Sequence, residues 1–330
     1  MSAQTFEFDV VGIGNAIVDV LAHAEDALLI RQGLAKGAMR LIDEAETERL
    51  YGAMGPAVEM SGGSAANTIA GLASLGGRGA FIGKLRDDEL GQVFAHDIHS
   101  LGVHFDTAPA RDGAATARCL ILVTPDAQRT MNTFLGACVA LGPEDVDPDL
   151  IQAAKITYLE GYLWDRPAAK QAFRKALDLA HRAGRKVALS LSDSFCVDRH
   201  RAEFLDLVEN GADIVFANEA ELLSLYQISS FDHGLQRLRG RRGIVALTRS
   251  AKGSVIVADG EVHVIDAEPV ARLVDTTGAG DLYAAGFLHG LTQGRDLATC
   301  GRLGSIAAAE VIGHFGARPE TPLKQLVAGL

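Results

Sequence analysis

The sequence predicts an α/β protein built on a mostly parallel, doubly wound sheet, with a small β-sheet that serves as a lid. Three observations support this prediction. Short β-rich runs alternate with helical patterns along most of the chain, as in parallel βαβ units covered by helices on both faces. Two segments, 33–60 and 110–135, interrupt that rhythm. Hydrophobic residues make up 48% of the chain, which is enough for a large core and excludes a disordered protein.

The main sheet follows from the order of the alternating elements. Apolar runs predict strands at 8–14, 80–85, 156–163, 187–191, 214–217 and 244–248. Helical patterns predict helices at 64–75, 89–101, 167–183, 201–209 and 219–225. An Asp259–Gly260 turn predicts a hairpin over 254–265 at the edge of this sheet. No long Ser/Gly/Pro linker divides the sequence, so we expect residues 1–330 to form a single domain.

The two interruptions predict the small sheet. Segment 33–60 contains short β-like pieces around a helix at 45–51. Within 110–135, two β-rich runs flank Thr124-Pro125-Asp126, and Pro-Asp is favoured in tight turns. Ligands of doubly wound folds bind beyond the carboxyl ends of the strands. A small sheet inserted over that end could therefore cover a ligand.

Charge and composition restrict the partners and the location of the protein. The chain has 31 basic and 42 acidic residues, a net charge of −11. This charge disfavours nucleic acid and anionic membranes as partners, and the basic run at 237–242 is interpreted as a solvated helix end. We expect neither a secretory signal nor a membrane span. The four cysteines show no Cys-x-x-Cys spacing, so we expect reduced thiols and a cytoplasmic location.

The glycine-rich segment 275–281 (DTTGAGD) carries the sharpest functional pattern, and a helix of small residues is predicted directly after it. Gly278, Ala279 and Gly280 would lie at the N-terminus of that helix, where free N–H groups and the helix dipole favour a bound anion. Asp281 would stand beside the anion and could take the proton of an attacking hydroxyl during phosphoryl transfer. The alternative is that Asp281 only stabilises the helix and the glycines only form a turn.

A second glycine segment offers groups for a hydroxylated ligand. Gly62 and Gly63 allow a ligand to reach the main chain, and Asn67 follows one turn into the predicted helix. Its amide can both donate to and accept from hydroxyls. The alternative is an ordinary loop-to-helix turn.

A third glycine pair, Gly12 and Gly14, follows the first predicted strand and invites comparison with a dinucleotide site. That interpretation is disfavoured because Ile17 occupies the place of the third glycine. Asn15 and Asp19 are instead candidates for contact with a sugar. The Asp19 carboxylate could accept hydrogen bonds from two hydroxyls, or could simply form a turn.

Polar residues after two later strands are candidates for a nucleotide site. Asn218 and Glu221 lie three residues apart and could organise a hydrated Mg²⁺ near phosphates. The same pair also fits a helix capping box. Thr248 and Gly253 flank a polar segment at the end of the next strand, which could adjoin a nucleotide or form an ordinary hairpin turn.

Together these segments make the chain resemble the ribokinase (PfkB) carbohydrate kinase family, and within it most of all the adenosine kinase branch. The resemblance runs from Val11 to about Pro319. Segment 275–281 followed by LYAAGF resembles the family's C-terminal signature, and 62–67 resembles its N-terminal signature. Segment 218–221 is similar to its Asn-x-x-Glu motif. The runs GNAIVD, KGAMRLID and LSDSFCVDRHR resemble the adenosine kinase branch.

The resemblance implies an ATP-dependent phosphotransferase whose acceptor is a nucleoside, with adenosine first, or a sugar. It implies that Asp281 is the catalytic base and that 278–280 form the anion hole. It also implies a set of residues that bind the acceptor, namely Asn15, Asp19, Gly62, Gly63 and Asn67. Residues 129–135 lie where adenosine kinases supply lid contacts.

The cofactors that the resemblance implies are ATP and Mg²⁺, with K⁺ in some members. The corresponding contacts would be Asn218 and Glu221 for Mg²⁺ and phosphates, Thr248 and Gly253 for the nucleotide, and Asp275 and Thr277, with the 316–317 loop, for a monovalent cation. The family includes monomers and dimers, and both are open for this chain.

One position departs from the adenosine kinase pattern. Those enzymes commonly offer an aromatic pair near 161–164 to stack on the purine, but Leu163 stands in the second aromatic place. Tyr162 or Phe134 could supply the stacking instead. A kinase for a free sugar or a sugar phosphate, and a non-catalytic nucleoside or sugar sensor, therefore stay open as alternatives.

Overall fold

The computed structural model describes residues 6–126 and 128–330. Within this part the strands are β1 (Phe8–Ile13), β2 (Ile17–His23), β3 (Met39–Leu41), β4 (Ala57–Gly62), β5 (Gly79–Ile82), β6 (Ala117–Val123), β7 (Arg129–Phe134), β8 (Ala154–Glu160), β9 (Lys186–Ser190), β10 (Ile214–Asn218), β11 (Ile244–Thr248), β12 (Ser254–Ala258) and β13 (Glu261–Ile265). The helices are α1 (Asp26–Gln32), α2 (Glu44–Tyr51), α3 (Ser64–Ser74), α4 (Glu89–Ser100), α5 (Pro148–Ala153), α6 (Pro167–Arg182), α7 (Ser194–Arg199), α8 (Arg201–Asp206), α9 (Glu219–Tyr226), α10 (Phe231–Leu238), α11 (Ala279–Thr292), α12 (Leu297–Val311) and α13 (Leu323–Leu326).

The main sheet has eight strands in the order β13-β12-β11-β10-β9-β8-β1-β5. Neighbours from β5 to β11 pair in parallel, and β12 and β13 add an antiparallel edge. Apolar side chains pack on both faces, because Val11 packs in one cluster with Phe173 and Val10 packs in another with Ile69 and Phe287. These features confirm the predicted doubly wound, mostly parallel α/β fold.

The small sheet has five strands in the order β3-β7-β6-β2-β4. Side chains alternate between its two faces. Val18 and Leu120 point to one face, where they join the core with Leu29. On the opposite face, Ile121 forms a separate apolar cluster with partly buried neighbours such as Met131. We call this second face the inner face of the small sheet.

Three predicted element ends are wrong by three residues, and the first is that β5 ends at Ile82 rather than at 85. Strand β8 ends at Glu160 rather than at 163, and the chain continues into a 3₁₀ turn, Gly161–Asp165. A Cβ at Gly161 would lie 2.6 Å from the carbonyl oxygen of Ser190, so the chain crosses close to β9 and cannot continue straight. The helix predicted over 201–209 is α-helical only to Asp206 and then widens into a π-helical turn, Leu207–Gly211.

The basic run at 237–242 is more than a solvated helix end. Helix α10 ends at Leu238, and the guanidinium of Arg241 folds back onto the π-helical turn. It donates to the carbonyl oxygens of Val208, at 2.6 Å, and Ala212. Burial lowers the pKa of Arg241. This arginine therefore satisfies carbonyl groups that the end of a helix leaves unpaired.

The parallel strands of the main sheet end at one edge, which carries several residues singled out in the sequence. Asn15 follows β1, and Asn218 and Thr248 end β10 and β11. Glu160, which the sequence analysis did not single out, ends β8 at the same edge. None of the helices in the described ranges is both long and apolar enough to cross a membrane.

Candidate active site

Asp281 lies where helices α3 and α11 meet. Its Oδ1 accepts a hydrogen bond from Ser64 Oγ at 2.6 Å, and its Oδ2 accepts one from Asn67 Nδ2 at 3.0 Å. A glycine allows this approach, because a Cβ at Gly71 would lie 2.5 Å from a methyl group of Leu282 on α11. The structure therefore brings together Asp281 and Asn67, which are 214 residues apart in the sequence.

Burial raises the pKa of Asp281 above its ordinary value, while the bonds from Ser64 and Asn67 and the charge of Arg318 act in the opposite direction. Asn67 is 5% exposed, and its Oδ1 has no hydrogen-bond partner among the described residues. A buried acceptor without a partner is costly unless a ligand or water supplies a donor. The site thus holds a polar atom without a hydrogen-bond partner, Asn67 Oδ1, next to the Asp281 carboxylate.

The 275–281 segment forms a tight turn that leads into α11. Gly278 has φ of 78°, and a Cβ there would lie 2.7 Å from the Cβ of Ala317. A Cβ at Gly280 would meet no atom within 4 Å, so this side of the turn is open. The N–H of Ala279 donates to the Thr276 carbonyl at 3.3 Å. The other N–H groups of the first helical turn lack partners within the helix, as at any helix start.

Asp19, Gly62 and Gly63 lie together across strands β2 and β4. A Cβ at Gly62 would lie 2.5 Å from the Asp19 carboxylate. Gly63 has φ of 95°, and a Cβ there would lie 2.1 Å from the carbonyl oxygen of Asn15. Burial raises the pKa of Asp19 to about 6, against the charges of Arg129 and Arg318. Both glycines are thus required by close approaches around the predicted acceptor segment.

Glu160 is a buried carboxylate that the sequence analysis missed. It is 1% exposed, and it accepts hydrogen bonds from Asn15 Nδ2 at 2.6 Å and from the N–H of Ala65 at 2.8 Å. Burial raises the pKa of Glu160 to about 7. The amide nitrogen of Asn15 is therefore used to bind Glu160. The only sequence signal was an acidic residue at the end of a buried strand.

Arg318 is a second residue that the sequence analysis missed. Its guanidinium donates to the carbonyl oxygen of Ala66 at 2.7 Å and to the carbonyl and hydroxyl oxygens of Ser61. The N–H and hydroxyl of Ser61 in turn donate to Asp97 on α4. Burial lowers the pKa of Arg318 to about 10. This network ties the C-terminal loop to the segment that carries Gly62 and Asn67.

Asp275 is paired with an arginine of the small sheet. Its Oδ2 accepts hydrogen bonds from Arg129 Nη1 and from the N–H of Gly316, and its Oδ1 accepts one from the N–H of Thr277. Both charged side chains are less than 10% exposed. Segment 129–135 was predicted to contact a ligand, but nothing local indicated that Arg129 reaches Asp275.

Asn218 and Glu221 form a reciprocal capping box at the start of α9. Glu221 accepts from the N–H of Asn218 at 2.9 Å and from its Nδ2 at 2.6 Å, and Asn218 Oδ1 accepts from the N–H of Glu221. Burial raises the pKa of Glu221 to about 7. Because both carboxylate oxygens already accept a bond, the pair fits Mg²⁺ only through bridging waters, which Mg²⁺ commonly retains. The described residues contain no cluster of three His, Cys, Asp or Glu side chains suited to a metal.

Thr248 and Gly253 lie where β11 turns into β12. Thr248 pairs with Ser254 across the hairpin. Gly253 has φ of 73°, and a Cβ there would lie 2.0 Å from the carbonyl oxygen of Ile265. The local backbone thus accounts for the glycine without a nucleotide.

The aromatic residues near the site differ in their availability. Trp164 is 1% exposed and Phe134 is packed in the core beneath the small sheet. Tyr162 is 38% exposed and its hydroxyl donates to the carbonyl oxygen of Ser192 at 3.2 Å. Burial, together with the charges of four nearby carboxylates including Asp281, raises the pKa of Tyr162. Tyr162 is therefore a partly open ring close to the site.

The comparison with known proteins identifies the family. The model of the pfkB family of carbohydrate kinases matches residues 43–324. The chain belongs to this family. It is therefore a phosphotransferase with an alcohol group as acceptor, and it phosphorylates a nucleoside or a sugar with ATP. Kinases of this family use ATP and Mg²⁺.

Solved structures and a curated relative agree with this assignment. An adenosine kinase from Sinorhizobium meliloti is 53% identical, with a TM-score of 0.91, covering 98% of this chain and 99% of that one. A probable sugar kinase from Rhizobium etli CFN 42 is 51% identical, with a TM-score of 0.91 and 98% of both chains covered. Adenosine kinase from Saccharomyces cerevisiae is 25% identical over 96% of this chain and 97% of its own length.

Proposed function

We propose that this kinase transfers the γ-phosphoryl group of ATP to a primary hydroxyl of a nucleoside, adenosine first, and that Asp281 is the base. The observation that carries the proposal is the position of Asp281, held by Ser64 and Asn67 at the start of α11. The acceptor hydroxyl would give its proton to the Asp281 carboxylate as its oxygen bonds to the γ-phosphorus. The bond from that phosphorus to the β-phosphate oxygen breaks, and ADP leaves.

The start of α11 suits the charge that develops on the transferring phosphoryl group. Gly280 borders open space, and the helix begins at Ala279, so the positive end of the helix dipole lies at this turn. Unpaired N–H groups of the first turn would stabilise the phosphoryl oxygens. The capping pair at Asn218 and Glu221 would act on Mg²⁺ through water, and bound Mg²⁺ would neutralise phosphate charge.

Two hydrogen-bond acceptors of the site could bind the hydroxyls of the substrate. Asn67 Oδ1 is buried without a donor, and the Asp19 carboxylate lies against Gly62. Each can accept a hydrogen bond from a hydroxyl, and together they suit a ribose with neighbouring hydroxyls.

The surroundings favour an uncharged acceptor that carries an apolar group. Arg129 and Arg318, the two arginines whose charges act on Asp19, are already bound to Asp275 and to Ser61 and Ala66. The phosphate group of a sugar phosphate would therefore have to displace existing partners of these two arginines. The inner face of the small sheet supplies apolar side chains, and Tyr162 supplies an aromatic ring. A nucleoside base matches these surfaces better than a phosphate does.

The second candidate acceptor is a free sugar, which the likeness to the probable sugar kinase from Rhizobium etli supports. ADP release should be measured with adenosine, other nucleosides, ribose, fructose and fructose phosphates as acceptors. We expect kcat/KM for adenosine to exceed that for any free sugar by about 100-fold or more, because the site pairs base and ribose together. A preference for a hexose or a sugar phosphate would refute the nucleoside proposal. A lack of ADP release with every acceptor would favour a sensor.

A further inference from the structure

The carboxylate of Asp275, the first residue of the 275–281 turn, accepts three hydrogen bonds from within the chain. Oδ1 accepts the N–H of Thr277 at 3.0 Å, and Oδ2 accepts both the N–H of Gly316 at 3.3 Å and the guanidinium of Arg129. The side chains of Arg129 and Asp275 are 7% and 4% exposed. A buried charge of this kind requires a partner of opposite sign, and here the partner is part of the chain.

Some members of the family bind a monovalent cation at the residues that correspond to Asp275 and Thr277. The residues of this chain do not fit such an ion. Guanidinium donors and main-chain N–H groups occupy both oxygens of the carboxylate. A monovalent cation bound there would also lie next to the positive charge of Arg129. Both charges would be buried, and buried like charges repel strongly.

We propose that Arg129 takes the place of a monovalent cation, so that this kinase works without K⁺. The guanidinium balances Asp275 and thereby holds both the 275–281 turn and the 316–317 loop. An arginine suits this position because its charge is permanent and its planar donors match a carboxylate. Arg129 lies on β7, so the small sheet itself delivers the charge to the turn that starts α11.

The first test compares the wild-type kinase in K⁺, Na⁺ and tetramethylammonium salts at constant ionic strength. We expect kcat with the best acceptor to differ by less than about twofold among these salts, since no ion is bound. Thermal unfolding without substrates should show the same midpoint in all three salts. This second measurement needs no acceptor, so it stays informative if the nucleoside proposal fails. Activation or stabilisation of the wild type by K⁺, and not by tetramethylammonium, would overturn the proposal.

The second test removes the guanidinium. In Arg129→Ala, the Asp275 carboxylate loses its partner, and K⁺ should now raise the unfolding midpoint and restore about tenfold of the lost kcat. Arg118→Ala is the matched control, because Arg118 is a buried arginine of the same sheet whose partner is Glu48 on α2. It should gain no response to K⁺. An Arg129→Ala protein that responds to K⁺ no more than Arg118→Ala would also overturn the proposal.

Discussion

Arg318 holds Ser61 through three hydrogen bonds, from Nε and Nη2 to the carbonyl oxygen at 3.1 and 3.0 Å and from Nη2 to Oγ at 2.9 Å. The same guanidinium lies close enough to Asp19 and Asp281 for its charge to act on both pKa values. Arg318 is therefore a positioning residue and a fixed countercharge for the two carboxylates on which the proposed reaction depends.

Substituting Arg318 should change the pH dependence of the kinase. In Arg318→Met, loss of the positive charge disfavours the carboxylate form of Asp281 and raises its pKa. The acidic limb of the kcat/KM profile should then move to higher pH. Arg318→Lys keeps the positive charge but loses the forked hydrogen bonds of the guanidinium. The acidic limb of its pH profile should therefore stay near that of the wild type, while KM rises. Identical limbs in all three proteins would contradict the electrostatic role.

Replacing Asp281 with Asn should remove the base and keep the fold. We expect kcat to fall by about 10³-fold or more, because the acceptor proton has no carboxylate to receive it. Thermal unfolding near neutral pH should show a midpoint equal to or above that of the wild type, since burial disfavours the charged form of Asp281. Near-normal turnover in this variant would exclude Asp281 as the base.

Two glycines of the same turn should respond differently to alanine. Gly278→Ala combines a positive φ with a contact of 2.7 Å to Ala317, and should lower the free energy of unfolding by about 2 kcal/mol or more. Gly280→Ala meets no atom within 4 Å, so stability should change by less than about 1 kcal/mol. Its methyl group would intrude on the proposed phosphoryl position, so kcat/KM for ATP should fall. Full activity of Gly280→Ala would place the phosphoryl group elsewhere.

Glu160 should contribute a pH-dependent part of the stability. Its pKa of about 7 in the folded protein exceeds the ordinary 4.5, so its stabilising effect is complete below pH 4.5 and is lost as pH rises through 7. Glu160→Gln cannot ionise. Denaturant unfolding should be measured at several pH values. Between pH 4.5 and 7 and above, the free energy of unfolding of the variant should rise relative to that of the wild type by roughly 1–3 kcal/mol. A constant difference in the free energy of unfolding would refute the raised pKa.

Local sequence patterns were sufficient for much of the fold. The β11 strand was predicted with its observed bounds, 244–248, because a β-branched run ends sharply at polar residues. The hairpin over 117–135 was predicted from its Pro-Asp turn, and β6 and β7 form it. The π-helical turn at Leu207–Gly211 was not predictable, because it depends on carbonyl groups that Arg241 satisfies from a later part of the chain.

The site contacts that the sequence analysis missed join residues that are distant in the chain. Arg318 reaches back 257 residues to Ser61, Arg129 reaches forward 146 residues to Asp275, and Glu160 reaches back 145 residues to Asn15. No local period or spacing encodes such pairs. The 275–281 turn was recognisable because glycines, a carboxylate and a helix start are adjacent in sequence.

The close contact between α3 and α11 has a consequence for how the reaction is prepared. Ser64 and Asn67 lie on one helix and Asp281 on the other, and Gly71 lets the two helix backbones approach closely. The Asp281 carboxylate, the proposed proton acceptor, is therefore oriented when the chain folds, before any substrate arrives. Less reorganisation is then needed before phosphoryl transfer than if the substrates had to position this carboxylate themselves.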